Sequence, residues 1–266
     1  MFSKLLKYDF KSLRRFGIPL VIIILSIAVV GMISGMIFGG SIYMDNMEMV
    51  TVMSIMLFMG IIFVLLLGSS IITIFVYIDF YKSLCTDQAY LTFTLPVKST
   101  TLLNSKLLNA VIWSTISLVT TAAGICMTIF GLLFGLSEMK ISLSDIQSIV
   151  KGIFSMFANV ESIFTLFTVI AYMVNSLLLI FMVIFFASVI TKNHKAIVAI
   201  ALVLATNLVY SVIYSLVSSI ISMIVVMSGV YSSILISCIS IVLLLISGAV
   251  YYILTKYMMD KKLNLA

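Results

Sequence analysis

The chain has 266 residues, of which 63% are apolar and only 9% are charged. Soluble domains contain about 45–50% apolar and about 25% charged residues, so this composition excludes a soluble globular protein. It also excludes an intrinsically disordered chain, which needs low hydrophobicity and high charge. The sequence therefore predicts an all-α polytopic membrane protein, because helices satisfy their own backbone hydrogen bonds in lipid.

The charge-free stretches predict the spans, because a helix of about 20 apolar residues crosses about 30 Å of hydrocarbon. The longest stretch, 196–255, is too long for one span and could hold two helices with a remainder, or three. With two helices there, the chain has six spans. They are predicted at about 16–38, 50–78, 107–136, 161–190, 196–217 and 233–255.

The basic residues predict the orientation, because cytoplasmic loops and ends collect Lys and Arg. Thirteen of the fifteen lie at the two ends, after the second span or in the turn 192–195, and only Lys140 and Lys151 lie on the other side. Both termini are therefore expected in the cytoplasm, which requires an even number of spans. About 15 residues near 218–232 are left over. They are expected to form an outer re-entrant segment between the fifth and sixth spans, and residues 1–266 a single transmembrane domain.

Residues 2–15 are predicted to form an amphipathic helix before the first span. Leu5, Leu6 and Phe10 fall on one side at about 100° per residue, with the basic residues opposite. Asp9 interrupts the apolar side, where a carboxylate is costly unless it is paired or lies at a protein contact. The helix either only binds the membrane surface or is an elbow helix that also contacts a cytoplasmic partner.

The longest cytoplasmic segment, 79–106, is rich in Tyr, Phe and Leu. Exposed apolar clusters mark interaction sites, so we expect a protein-contact helix ahead of Pro96, with an interfacial hairpin as the alternative. Its candidate contact residues are Thr86, Asp87, Gln88, Tyr90 and Phe93. On the outer side, 142–160 has the spacing of an amphipathic helix, which is either a structural lid or a contact for a transported compound.

Several kinds of chemistry are missing from the sequence. The predicted spans contain almost no ionisable residue, which argues against a proton- or ion-coupled carrier. The single histidine, His194, lies in a cytoplasmic turn, so we predict no catalytic residue, no metal site and no enzyme activity. No Gly is followed by Lys, which excludes a P-loop. If the protein is a pump, its motor is another polypeptide.

Neutral polar residues do occur inside the spans. Asn175, Asn207, Tyr210 and Tyr214 either form hydrogen bonds between helices or line a transport pathway. Small residues four apart, at 31, 35 and 39 and at 131 and 135, predict close helix packing and are compatible with dimerisation.

Two motifs resemble a known family. They are Lys4-Leu-Leu-Lys-Tyr-Asp-Phe-Lys11 and Tyr90-Leu-Thr-Phe-Thr-Leu-Pro-Val97, the second followed by Leu102-Leu-Asn-Ser-Lys-Leu-Leu108. With the order of spans, they resemble the permease subunits of ABC-2 type exporters, in which a coupling helix lies between spans two and three. The resemblance implies two permease copies, identical or homologous, and two separate ATPase subunits that hold ATP and Mg.

The resemblance further implies that the elbow helix, with Asp9, and the region from Thr86 to Phe93 dock on the ATPases. It implies a multi-pass protein of the bacterial cytoplasmic membrane, with membrane lipid around it, no cofactor in this chain and no nucleic-acid partner. A neutral pathway rich in Met and Phe suits a hydrophobic or amphipathic substrate, such as an antimicrobial peptide or a drug-like compound. The alternatives are a motor-independent carrier or substrate-binding membrane component for a neutral solute, and an assembly factor.

Overall fold

Six long helices make up most of the part of the chain that the computed structural model describes. It describes residues 2–41, 48–86, 94, 97–137, 147–148, 151–152, 155, 159–190, 195–227 and 233–261. The helices are α1 (Phe2–Ser41), α2 (Glu48–Cys85), α3 (Ser99–Ser137), α4 (Val160–Ile190), α5 (Lys195–Met227) and α6 (Ser233–Lys261). Each is long and apolar enough to cross a membrane, and the described residues contain no β-strand. The prediction of an all-helical chain with six helices able to span a membrane is confirmed for the described residues.

The first three helices are longer than their predicted spans. They have 40, 38 and 39 residues. The segment 2–15 continues directly into the first span, with Pro19 inside the helix, so no boundary separates an elbow helix from α1. α2 likewise continues to Cys85 and α3 begins at Ser99, which leaves 86–98 for the connecting segment. A charge ends the apolar stretch used to predict a span, but it does not end a helix, since Lys and Asp are compatible with helical backbone.

The predicted re-entrant segment is not confirmed, because the fifth helix extends into it. α5 continues without interruption to Met227, so 218–227 is helical. This stretch contains neither Gly nor Pro, and the hydroxyls of Ser218, Ser219 and Ser222 each donate to the carbonyl oxygen three residues earlier. Nothing in it ends a helix or leaves a hydroxyl unpaired. Residues 228–232 lie outside the described part, as does most of the predicted outer helix at 142–160, whose described residues are helical at 147–148, 151–152 and 155.

The described helices group into two compact units that are discontinuous in sequence. The first comprises Met1–Asp9, Tyr77–Val111 and Ser155–Ala266, and the second comprises Phe10–Val76 and Ile112–Phe154. α1, α2 and α3 contribute residues to both units, whereas α4, α5 and α6 belong to the first. The single transmembrane domain stays a prediction.

In the second unit, α1 and α3 approach each other backbone to backbone. A Cβ atom on Gly131 would collide with the carbonyl oxygen of Met32, and one on Gly135 would collide with that of Met36. A Cβ atom on Gly35 would lie 2.6 Å from the Thr128 carbonyl oxygen. Four of the small residues predicted to pack helices closely, at 31, 35, 131 and 135, therefore bring α1 and α3 together within one chain.

α2 completes the second unit. Leu65 and Ile72 of α2 pack with Ile24 and Ala28 of α1 in a buried cluster. Ser117 of α3 donates a hydrogen bond of 3.2 Å to a carbonyl oxygen of α2, at residue 69. The three helices are thus joined by both apolar and polar contacts.

In the first unit, α4 is the central helix. It contacts α5 and α6, and its second half contains ten buried residues, between Asn175 and Ala187, more than any other helix of this unit. Phe80 of α2 stacks on Phe181 and meets Phe185 edge to face, at ring-centre distances of 3.5 and 5.5 Å. The second half of α4 is thus enclosed by its neighbours.

Replacing Gly131 by Ala is expected to destabilise the protein, while the same change at Gly60 is not. The new methyl group at 131 meets backbone, so α1 and α3 must separate, at about 1–3 kcal/mol. Nothing lies within 4 Å of a Cβ atom at Gly60, where Ala removes glycine's entropy cost and should be neutral or stabilising by about 0.4–1 kcal/mol. Thermal unfolding of both purified variants in detergent measures the difference. Equal midpoints would contradict the close approach.

Candidate functional site

The three helices α4, α5 and α6 carry polar side chains at their midpoints. Asn175 is the middle residue of α4 and Ser247 that of α6, and Tyr210 lies one residue before the middle of α5. The middle of a spanning helix is the level deepest in the hydrocarbon when the helix is centred in a bilayer. Polar groups there have no bulk water, so their partners decide what the site can do.

Asn175 connects the three helices by hydrogen bonds. Its side chain is buried, and its Nδ2 donates to the Tyr210 hydroxyl at 2.8 Å and to Ser247 Oγ at 2.9 Å. The Ser247 hydroxyl in turn donates to the Leu244 carbonyl oxygen at 3.1 Å. Such bonds between membrane helices contribute about 1 kcal/mol each. Asn175 therefore has a structural role in this unit.

The other end of the same amide lacks a partner. Asn175 Oδ1 is buried and accepts no hydrogen bond from the part of the chain that the structure describes. It lies beside Gly248, where an added Cβ atom would be 3.3 Å away. Buried polar atoms are almost always paired, so this oxygen is a place where a ligand's donor would be favourable.

Tyr172 of α4 and Tyr210 and Tyr214 of α5 form a tyrosine cluster, which Asn175 contacts through the Tyr210 hydroxyl. Their ring centres are 4.8–6.2 Å apart. All three are half-buried, and the hydroxyls of Tyr172 and Tyr214 bind no residue that the structure describes. A hydroxyl in hydrocarbon is costly without a partner. This surface is therefore suited to contact with water or with the polar groups of a solute.

The sequence identified most of this arrangement. Asn175, Tyr210 and Tyr214, predicted as pathway residues, lie together. Asn207 is half-buried and shares a face of α5 with the two tyrosines, three and seven residues before them, but it makes no hydrogen bond to the described residues. Tyr172 was missed, although its position three residues before Asn175 indicates a common face. Ser247 was missed because nothing in the sequence distinguishes it from the other serines of α6.

A second polar group, the ion cluster, consists of Asp9, Asp79, Ser105 and Lys106. Lys106 Nζ lies 2.6 Å from Asp9 Oδ1 and 3.5 Å from Asp79 Oδ2. Ser105 Oγ donates to Asp9 Oδ2 at 2.6 Å. Asp9 and Lys106 are both buried, which explains how a carboxylate is tolerated on the apolar side of the N-terminal segment. The Asp9 carboxylate is bonded within the chain, so any effect it has on a partner is indirect.

The remaining predicted coupling residues follow α2. Thr86 Oγ1 donates to the Lys82 carbonyl oxygen at 2.5 Å, in the last turn of that helix. Asp87, Gln88, Tyr90 and Phe93 lie outside the described residues. Their role as a partner contact stays a prediction.

The described residues contain no group of three or more His, Cys, Asp or Glu that could hold a metal ion. The ion cluster has two carboxylates, and both lie near the ammonium group of Lys106. Its chemistry is therefore that of an internal ion pair.

Replacing Lys106 by Met is expected to destabilise the protein by about 3 kcal/mol, because a buried ion pair that loses one partner leaves uncompensated charge. Both Asp9 and Asp79 lose their cation. Lys98→Met is the matched control, since Lys98 is exposed and surface charges contribute about 0–1 kcal/mol. Thermal unfolding in detergent measures both variants. Equal losses would show that the ion cluster contributes nothing specific.

Removing the hydroxyl of Tyr210 is expected to lower stability by about 1 kcal/mol, because Asn175 loses one of its two hydrogen bonds. Tyr214→Phe is the control, since the Tyr214 hydroxyl binds no described residue and the ring contacts remain. The free energy of unfolding of each purified variant is the measurement. If Tyr214→Phe costs as much as Tyr210→Phe, the Asn175 hydrogen bond is not what stabilises this site.

No protein-family model, curated protein or solved structure matches this chain. The roles of the tyrosine cluster, Asn175 and the ion cluster therefore depend on their own geometry, in helices long enough to span a membrane. The resemblance to exporter permeases stays a prediction from the sequence motifs.

Proposed function

We propose that this chain is the permease subunit of an ATP-driven exporter. It moves a hydrophobic or amphipathic compound across the cytoplasmic membrane of a bacterium, and ATP and Mg are bound by a separate ATPase subunit. One observation carries the proposal: Asn175 and the tyrosine cluster form a neutral polar surface at the middle of α4 and α5. Transport sites in membrane proteins commonly lie near the bilayer midplane.

The chemistry of that surface supports an energy source outside the spans. Ion-coupled carriers hold the coupled ion with Asp, Glu or His inside the bundle. The charged groups of the ion cluster instead lie in the parts of α1, α2 and α3 that extend beyond the predicted spans. The sequence has no P-loop, so hydrolysis requires another polypeptide.

The ion cluster supports a route for coupling. It joins the N-terminal turns of α1 to the last turns of α2 and the first turns of α3, the two helices that flank segment 86–98. Separating a buried, hydrogen-bonded ion pair is costly, so these three helix ends move together. A displacement of segment 86–98 by a docked ATPase would be transmitted to α2 and α3 through the ion cluster. Asp9 and Lys106 are positioning residues in this scheme.

A motor-independent carrier or a substrate-binding membrane component for a neutral solute is the second candidate. The same Asn175 and tyrosine surface favours it, since such a site binds solute whether or not an ATPase is attached. The two candidates differ in whether transport stops without ATP.

The direct test is co-purification with an ATPase encoded beside this gene, followed by ATP hydrolysis and transport in liposomes. Asp87→Lys, or deletion of 88–90, should abolish ATPase binding with the unfolding midpoint unchanged, because these residues lie in the predicted contact segment. Asp145→Lys is the matched control, with the same charge change on the predicted outer side.

Two results would contradict the proposal. Normal ATPase binding by Asp87→Lys and by the deletion variant would show that these residues do not form the ATPase contact. Transport by the chain alone, without ATP, would replace the exporter with the motor-independent carrier.

A further inference from the structure

A groove runs along the seam between α4 and α6. Its volume is about 730 Å³, within the range of about 300–1,000 Å³ typical of small-molecule sites. Its walls come from positions 164–178 of α4 and 241–253 of α6. At 1.5 Å per residue these stretches are about 20 Å long, roughly two-thirds of the hydrocarbon thickness. The groove is therefore long enough to hold an extended hydrocarbon chain.

The lining of the groove is neutral and almost wholly apolar. No charged residue contributes to it, and its polar side chains are Asn175 and Tyr252. Both lie in the second halves of the two lining stretches, whereas the first halves present residues such as Phe164, Phe167 and Ile241. A charged ligand would lose its hydration without gaining a counter-charge. The lining thus selects against ions and for a long apolar body with one neutral polar end.

The polar end of the groove has an unused acceptor. Asn175 is 2% exposed, and its Oδ1 has no partner among the described residues. Gly248 is the groove residue beside this oxygen. Because glycine has no side chain, the groove wall at this position consists of backbone only. The Tyr252 hydroxyl donates to Asn104 Oδ1 at 2.8 Å and can still accept a hydrogen bond. A hydroxyl or amide group placed here can donate to the partly exposed Tyr252 hydroxyl, and it reaches Asn175 Oδ1, which has less than 1 Å² of exposed surface, after a small shift of the groups around Gly248.

We propose that the groove binds a neutral single-chain amphiphile. Its hydrocarbon chain lies along the Phe164 and Phe167 half, and its hydroxyl or amide head donates to Asn175 Oδ1 at the Gly248 edge. That the bound amphiphile is the transported substrate rests on the proposed function, but the binding itself does not. A two-chain phospholipid is disfavoured because its charged head has no partner in the lining.

The test uses the purified full chain in phosphatidylcholine nanodiscs, without ATPase or ATP. The probe is an 18-carbon monoacylglycerol with a photoreactive group in its chain, and a fatty acid and a phosphatidylcholine with the same label are the comparison probes. Saturable labelling of peptides from 164–178 and 241–253 is expected with the monoacylglycerol and should be competed by unlabelled monoolein.

Two variants test the site by different means. Asn175→Leu removes the acceptor, and loss of one hydrogen bond should weaken binding about fivefold. Ala249→Phe fills the groove from an exposed position in its wall, leaves the Asn175 hydrogen bonds in place and should abolish saturable labelling. Ala205→Phe is the control, since Ala205 is an exposed alanine of α5 outside the lining.

Each of the following outcomes would contradict the proposed binding of a neutral amphiphile. Unsaturable labelling, or equal labelling by phosphatidylcholine, would identify bulk lipid as the occupant. Equal labelling by the fatty acid would show that the groove does not require a neutral head group. Crosslinks between two copies through these peptides would make the groove a contact between chains, and unchanged binding in both groove variants would place the amphiphile elsewhere. Because this experiment contains no ATPase, a failure to bind the amphiphile does not contradict the exporter proposal. Conversely, a failure of the chain to co-purify with an ATPase does not contradict binding in the groove.

Discussion

A polar group inside a membrane helix cannot exchange a lost partner for water, and this constraint accounts for the side-chain hydrogen bonds within and between the helices. Serine hydroxyls such as those of Ser218 and Ser222 bond to their own helix. Asp9 is buried with Lys106, and Asn175 donates to Tyr210 and Ser247. Against this background the unpaired groups are informative. Asn175 Oδ1 and the tyrosine cluster lie where partners from outside the chain are most useful.

The same constraint separates the structural part of the molecule from the part with a proposed role in transport. In the second unit, glycines bring the backbones of α1 and α3 together, and few polar side chains need a partner from another helix. In the first unit, α4 is enclosed by its neighbours and carries the midpoint amide. Close backbone packing maximises dispersion contacts where lipid provides no hydrophobic drive between helices. Side-chain hydrogen bonds, by contrast, position functional groups.

Much of the fold was predictable because a spanning helix is a local property of sequence. The six helices follow from hydropathy and length alone. Their ends were predicted less well, since α1, α2 and α3 continue through charged residues and α5 continues through the serines assigned to a re-entrant segment. Hydropathy indicates which segments of the chain can lie in lipid. Hydrogen bonding along the backbone decides where a helix stops, and it does not depend on lipid.

The candidate site was predictable only in part. The sequence by itself determined that the chain is a multi-pass helical protein with neutral spans and no P-loop, because these are properties of composition and of short motifs. It also indicated that Asp9 needs a partner. Only the tertiary structure showed that the partner is Lys106, 97 residues away, that Ser247 bonds to Asn175, and that Tyr172 packs against Tyr210 and Tyr214. Contacts between distant helices depend on their packing and rotation, which hydropathy does not encode.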